Sequence, residues 1–153
     1  MNTNLLVYKI LDLTYNTLMK EKKRILVDMS VTLLHHGHVR ILKQASNYGD
    51  VIVGLTSDKD LKKYKGYLPE LKYCHRKEII ESIRYVKEVV NVNFYTDEKD
   101  LKKNKIDFLI HGNDLKKKFN KNKIKILKRT KGISSSLLRK KAAKIFKNLN
   151  NIK

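Results

Sequence analysis

The chain has one cysteine, Cys74, and no tryptophan, and its 15 acidic residues are set against 35 basic ones. A lone cysteine excludes an intrachain disulfide, so a reducing cytoplasm is the expected setting. No apolar run approaches the ~20 residues that a membrane-spanning helix needs. Leu5 to Leu13 is interrupted by Tyr8, Lys9 and Asp12, and no small-residue cleavage site follows it, which argues against a secretory signal. Neither C-x-x-C nor H-E-x-x-H spacing occurs. No structural metal site is therefore expected.

The formal charge of +20 is the electrostatic footprint of a nucleic-acid binder, which makes a basic binding module the rival to an enzyme. Only six of the basic residues are arginine, and the 29 lysines are spread along the whole chain. A recognition surface more often concentrates arginines with interleaved aromatics. No specific nucleic-acid partner is expected. A positive field of this kind also attracts small polyanions, with a strength that falls as salt rises.

Strand-like runs at Ile25 to Val27, Val51 to Leu55, Val89 to Val92, Phe108 to Ile110 and Ile124 to Leu127 alternate with helical patterns. This predicts an α/β fold, a Rossmann-like doubly wound parallel sheet with its ligand crevice at the carboxyl ends of the strands. Leu6, Ile10, Leu13 and Thr17 trace one helical face, so residues 1–22 are expected to form an amphipathic helix packed on the domain or on a second subunit. Residues 23–147 form the single expected domain, and 148–153 a flexible tail. A homodimer is the expected assembly.

His35-His36-Gly37-His38 falls where the first strand, with Met29 and Ser30 in the turn that leaves it, gives way to a helix marked by Val39, Ile41, Leu42 and Ala45. Backbone N–H groups at a helix start lack intrahelical acceptors and carry the positive end of the dipole, which suits an anion. Gly37 would let the backbone approach a ligand, and His35 and His38 would donate hydrogen bonds to phosphate oxygens. Metal ligation and an ordinary turn are the competing readings. A second segment, Arg129-Thr130-Lys131-Gly132-Ile133-Ser134-Ser135-Ser136, also joins a strand to a helix. Its hydroxyls either cap that helix or cradle a phosphate beside the permanently charged fork of Arg129.

His35-x-Gly37-His38 together with Arg129-Thr130-x-Gly132-Ile133-Ser134-Ser135 resembles the paired signatures of HxGH cytidylyltransferases, most of all those acting on glycerol 3-phosphate. The likeness continues through Gly54 to Asp58, Lys63-Tyr64-Lys65, His75-Arg76-Lys77, Ile83-Arg84-Tyr85-Val86 and His111-Gly112-Asn113-Asp114, and spans roughly Lys23 to Lys141. Val27-Asp28-Met29-Ser30 looks as much like the enzymes acting on 2-aminoethylphosphonate. Thr32 stands where the family usually has an acid, Lys131 where it has a glutamate, and Leu115 where it often has tryptophan.

The resemblance implies transfer of CMP from CTP to a small phosphate or phosphonate acceptor, with Mg²⁺ carried by the triphosphate. It implies that His35, His38, Lys63 and Arg129 act on the reacting phosphates. Met29, Ser30, Gly37, Gly112, Asp114, Thr130, Gly132, Ile133, Ser134 and Ser135 would join His38 and Arg129 in holding the nucleotide. Lys65, Arg76, Phe94 and Tyr95 would meet the acceptor. Glycerol 3-phosphate is the favoured acceptor, with 2-aminoethylphosphonate or an amino-alcohol phosphate as the alternative.

Overall fold

The structure, a computed structural model, describes residues 3–18, 21–113 and 119–150. Helix α1 (Thr3–Leu18) leads into strand β1 (Arg24–Met29), helix α2 (His36–Ala45) and strand β2 (Asp50–Thr56). Helices α3 (Asp58–Lys65) and α4 (Tyr73–Glu81) precede strand β3 (Val86–Val92) and helix α5 (Glu98–Lys103). Strand β4 (Phe108–Gly112), strand β5 (Ile124–Leu127) and helix α6 (Ser135–Asn150) follow. The five strands form one parallel sheet in the order β3-β2-β1-β4-β5. The predicted doubly wound α/β fold is what forms.

Alternation along the strands explains why both faces are covered. Ile25 and Val27 join Val51, Val53 and Ile110 on the face packed by Leu42 and Ala45 of α2 and Ile80 of α4. Leu26, Ile52 and Leu109 join Val92 of β3 and Leu101 of α5 on the other. Each of the enclosed valine, leucine and isoleucine side chains contributes about 1.5–3 kcal/mol through removal of apolar surface from water. The order of strands reverses between β1 and β4, where crossovers leave opposite faces and open a crevice at the carboxyl ends.

Two expectations are revised. The described side chains of α1, Leu6 to Thr14, are all exposed, with Leu6, Val7, Ile10, Leu11 and Leu13 between 51% and 67% accessible, so the domain does not bury the apolar residues of this stretch. The tail predicted from residue 148 is helical as far as Asn150, because α6 continues through it. Among the described residues, no helix is long and apolar enough to cross a membrane.

Candidate active site

A cavity of about 280 Å³ lies at the strand carboxyl ends, between the starts of α2 and α6. It brings together Met29, Ser30, His35, Gly37, His38, Lys65, Gly112, Arg129, Thr130, Ile133, Ser134 and Ser135. The two sequence signatures, nearly a hundred residues apart, therefore face one space.

At the α2 side, His35 caps the helix in extended conformation, and the His35 and His38 rings stack with centroids 3.8 Å apart. The His35 backbone N–H donates to Nδ1 of His38 at 3.2 Å. An Nδ1 that accepts must lack a proton, so a neutral His38 carries its hydrogen on Nε2 as a donor. Burial, then His35 and Arg129, lowers the His38 pKa to about 4, which keeps the ring neutral at physiological pH. His35 is also lowered, first by burial and then by the charges of His36 and Arg129.

Gly37 lines the cavity, and its missing side chain also serves the packing of the two turns. A Cβ there would lie 2.9 Å from Nδ1 of His35 and 3.3 Å from Cγ2 of Ile133. The glycine thus makes room for the imidazole and for the opposite signature. The loop ahead of it is strained, because Val31 is buried with φ +43°, a region unfavourable to a β-branched residue.

Arg76 explains how that loop is held, and its role departs from acceptor binding. Its side chain is wholly buried, with Nη1 donating to the Ser30 carbonyl at 2.6 Å and Nη2 to the Thr56 carbonyl at 2.9 Å. Nη2 also meets Asp58 Oδ1 at 2.6 Å, and Nε donates to the Leu71 carbonyl at 3.1 Å. Every nitrogen of the guanidinium donates to protein, so Arg76 ties the end of β1, β2, α3 and the 66–72 segment together, and it lies outside the cavity lining.

Lys65 does face it. Its Nζ lies 3.0 Å from Ser30 Oγ, and its pKa is lowered by burial of the ammonium end and by Arg139, Arg76 and Arg129. This crowding of positive charge is relieved by an anion. Lys63 is exposed and lies outside the cavity lining, its Nζ 5.0 Å from the Tyr64 ring centre. Phe94 and Tyr95 also lie off the lining, in a cluster with Tyr64 whose centroids are 4.8 to 5.2 Å apart. Lys65 Nζ is 5.9 Å from the Phe94 ring centre, which leaves that cluster at the margin of the site.

At the α6 side, Ser134 Oγ accepts from Leu137 N at 3.1 Å, an N-cap that leaves the hydroxyl hydrogen for a phosphate oxygen. Ser135 Oγ donates to the Leu33 carbonyl at 3.0 Å and so ties the second signature to the loop that precedes the first. Its hydroxyl is engaged by protein. Gly132 has φ +76° and lies outside the lining, so it shapes the turn that presents Ile133 and Ser134. Asp114 and Leu115 lie outside the described residues.

Sequence reasoning missed several participants. Arg139 of α6 holds Glu70 through Nη2 at 2.6 Å and Tyr67 through Nη1 at 3.0 Å, drawing the 66–72 segment over the cavity edge. Tyr67, Lys128, Arg40 and Gln44 line the cavity. So do Asp28 and His111, with His111 Nδ1 2.5 Å from Asp28 Oδ1. Arg139, Tyr67, Lys128, Arg40 and Gln44 carry no short-range signature, whereas Asp28 and His111 fall within the family-like stretches and only their pairing is unsignalled. Among the described residues there is no cluster of three His, Cys, Asp or Glu able to hold a metal ion.

Residues 32–141 match the cytidylyltransferase-like family. The chain is 36% identical over 130 residues to the glycerol-3-phosphate cytidylyltransferase of Bacillus spizizenii, covering 80% of this chain and 99% of that one. It is 35% identical over 125 residues to the enzyme of the same name from Staphylococcus aureus, covering 76% and 92%. The ethanolamine-phosphate cytidylyltransferase of Mus musculus is 36% identical over 94 residues, which are 60% of this chain and 23% of that protein. Among solved structures, a lipopolysaccharide core biosynthesis protein from Thermoplasma volcanium superposes with a TM-score of 0.59 at 20% identity, over 73% of this chain and 99% of that one, and so shares the fold. With the family matched over more than half of its length and relatives above 30% identity along nearly their whole length, the chain belongs to the cytidylyltransferase-like family and is a nucleotidyltransferase.

Proposed function

We propose that the protein transfers CMP from CTP to glycerol 3-phosphate and releases pyrophosphate. The observation that carries this reading is the convergence of two helix starts, one with a neutral Nε2–H donor on His38 and one with Arg129 and Ser134, on a single cavity. A phosphate oxygen of the acceptor attacks the α-phosphorus of Mg-CTP in line. The bond from the α-phosphorus to the bridging oxygen breaks, and that oxygen departs on pyrophosphate. The attacking group is already an anion, so no strong base is needed, and catalysis consists of positioning and charge stabilisation.

His35 and His38 address the α- and β-phosphate oxygens, where charge develops. Because His38 is neutral, half-buried and held through Nδ1, its donor is aligned before reaction. Arg129 and Ser134 hold the departing phosphates, and Lys65 with Ser30 meets the acceptor phosphate. Magnesium would arrive on the nucleotide, which suits a cavity lined, among the described residues, by one carboxylate, Asp28. Similarity to two glycerol-3-phosphate cytidylyltransferases along nearly their full length supports the polyol acceptor. Asp28 and the partial similarity to the ethanolamine-phosphate enzyme favour an aminated acceptor as the second reading.

Pyrophosphate release from CTP is measured with glycerol 3-phosphate, phosphoethanolamine, phosphocholine and 2-aminoethylphosphonate. Release that requires glycerol 3-phosphate and yields CDP-glycerol is expected. Preference for an amine would replace the acceptor, and turnover with ATP alone would replace cytidylyl by adenylyl transfer.

A further inference from the structure

Tyr67 brings the 66–72 segment to the cavity wall, and the transfer chemistry gives that segment no role. The segment leaves α3 at Gly66, whose φ of +78° turns the chain away from the helix, and its far end is held where Arg76 Nε donates to the Leu71 carbonyl at 3.1 Å. Between those points Arg139 of α6 binds it twice. Its Nε and Nη2 meet the two carboxylate oxygens of Glu70, the latter at 2.6 Å, and its Nη1 donates to the Tyr67 hydroxyl at 3.0 Å. Helix α3 follows β2 and α6 follows β5, with β1 and β4 between them in the sheet, so these bonds cross the mouth of the crevice.

Tyr67 and Arg139 stand differently towards the cavity. Tyr67 lines it, whereas Arg139 does not. The guanidinium carbon lies 4.5 Å from the centre of the Tyr67 ring, so one cation both covers the ring and bonds its oxygen. Because that oxygen accepts from Arg139, the hydroxyl hydrogen remains to be given, and it has no acceptor among the described residues. A phenol held in this way is a fixed donor, and an anionic oxygen makes the stronger hydrogen bond with it. The starts of α2 and α6 already address the phosphates of the nucleotide. Tyr67 lies two residues beyond Lys65, whose Nζ is 3.0 Å from Ser30 Oγ, on the side assigned to the acceptor.

We infer that the Tyr67 hydroxyl binds a phosphate oxygen of the acceptor, and that Arg139 positions it for that contact. The inference rests on the cytidylyl-transfer reading. Tyr67 is then a further acceptor-binding residue beside Lys65, and Arg139, tied to Glu70, is a positioning residue that acts through it. A phosphate or phosphonate group is common to the polyol and amine acceptors, so the contact serves affinity for the whole class and not the choice within it.

Pyrophosphate release is measured with CTP and glycerol 3-phosphate varied in turn, for the wild type, Tyr67→Phe and Arg139→Met, with a thermal melt to establish folding. If the wild type prefers phosphoethanolamine, that acceptor takes the place of glycerol 3-phosphate, since the phosphate is shared. Absence of wild-type turnover with every acceptor sinks the transfer reading and this inference together. Given turnover, Tyr67→Phe keeps the ring and should raise KM for the acceptor by roughly 10- to 100-fold, the range for one hydrogen bond to a charged group, with kcat and KM for CTP within about twofold. Arg139→Met should raise the same KM by roughly three- to tenfold, because the hydroxyl stays and only its anchor is lost, and it serves as the reading if Tyr67→Phe does not fold. An unchanged acceptor KM in the folded variants, with only the melting temperature lowered, overturns the inference. So does a rise confined to KM for CTP, which would assign the hydroxyl to the nucleotide.

Discussion

The turn before α2 and the turn before α6 both aim a helix start at the same cavity, but they arm it differently. The α2 turn carries two stacked imidazoles whose pKa values burial lowers, with the His38 ring neutral and locked by a backbone N–H. The α6 turn carries a permanent cation and hydroxyls, one of which caps the helix while another bonds the facing loop. Neutral, oriented donors contribute most where charge appears during reaction, and a standing cation attracts the triphosphate from the outset. The difference assigns chemistry to the first turn and binding to the second.

The largest effect should come from the first turn. His38→Ala is expected to lower kcat by about two to three orders of magnitude, the usual loss when one donor to transition-state charge is removed. His36 is exposed, and His36→Ala should stay within about twofold. Steady-state kinetics on both variants checks this, and equal modest losses would reduce the motif to a structural turn.

The same histidine should mark the pH dependence of stability. Its folded pKa of about 4 lies below the unfolded value of 6.5, so below pH 6.5 the unfolded chain binds more protons. The stability this group contributes is complete above 6.5 and is lost as pH falls towards 4, on the order of 2 kcal/mol. Urea denaturation of the wild type and His38→Asn across that interval should show a shallower decline in the variant. Parallel curves would mean that His38 is not held neutral by the fold.

Arg129→Lys sharpens the contrast from the other side. Losing the planar fork should raise KM for CTP by roughly tenfold. The smallest effect is that of Ser135→Ala, which removes the hydrogen bond to Leu33 and should reduce stability by about 1 kcal/mol, with kcat little changed. A denaturant midpoint at constant slope would register it.

Much of this contrast is written in short stretches of sequence. The five strand cores and both strand-to-helix turns are local patterns, so Ile25 to Val27 or His35 to His38 can be placed before any contact is known. Long-range features have no such signature. Arg76 reads as one more cation near a helix start until the fold buries it against Ser30, Thr56 and Asp58. Asp28 and His111 are 83 residues apart and meet only because β1 and β4 are adjacent. Arg139 and Glu70, 69 residues apart, are joined by the path of the 66–72 segment. The reason for Gly37 is likewise spatial, since the ring that occupies its missing side-chain volume is folded back by the stack with His38. The exposure of α1 was not legible because an amphipathic pattern states that a face is to be covered without stating by what.

The division of labour between the turns is tested most directly by turnover at saturating CTP for His38→Ala and Arg129→Lys, measured side by side. The account predicts that excess CTP restores most of the rate to Arg129→Lys and leaves His38→Ala slow. Recovery of His38→Ala at high CTP, with Arg129→Lys still slow, would contradict it.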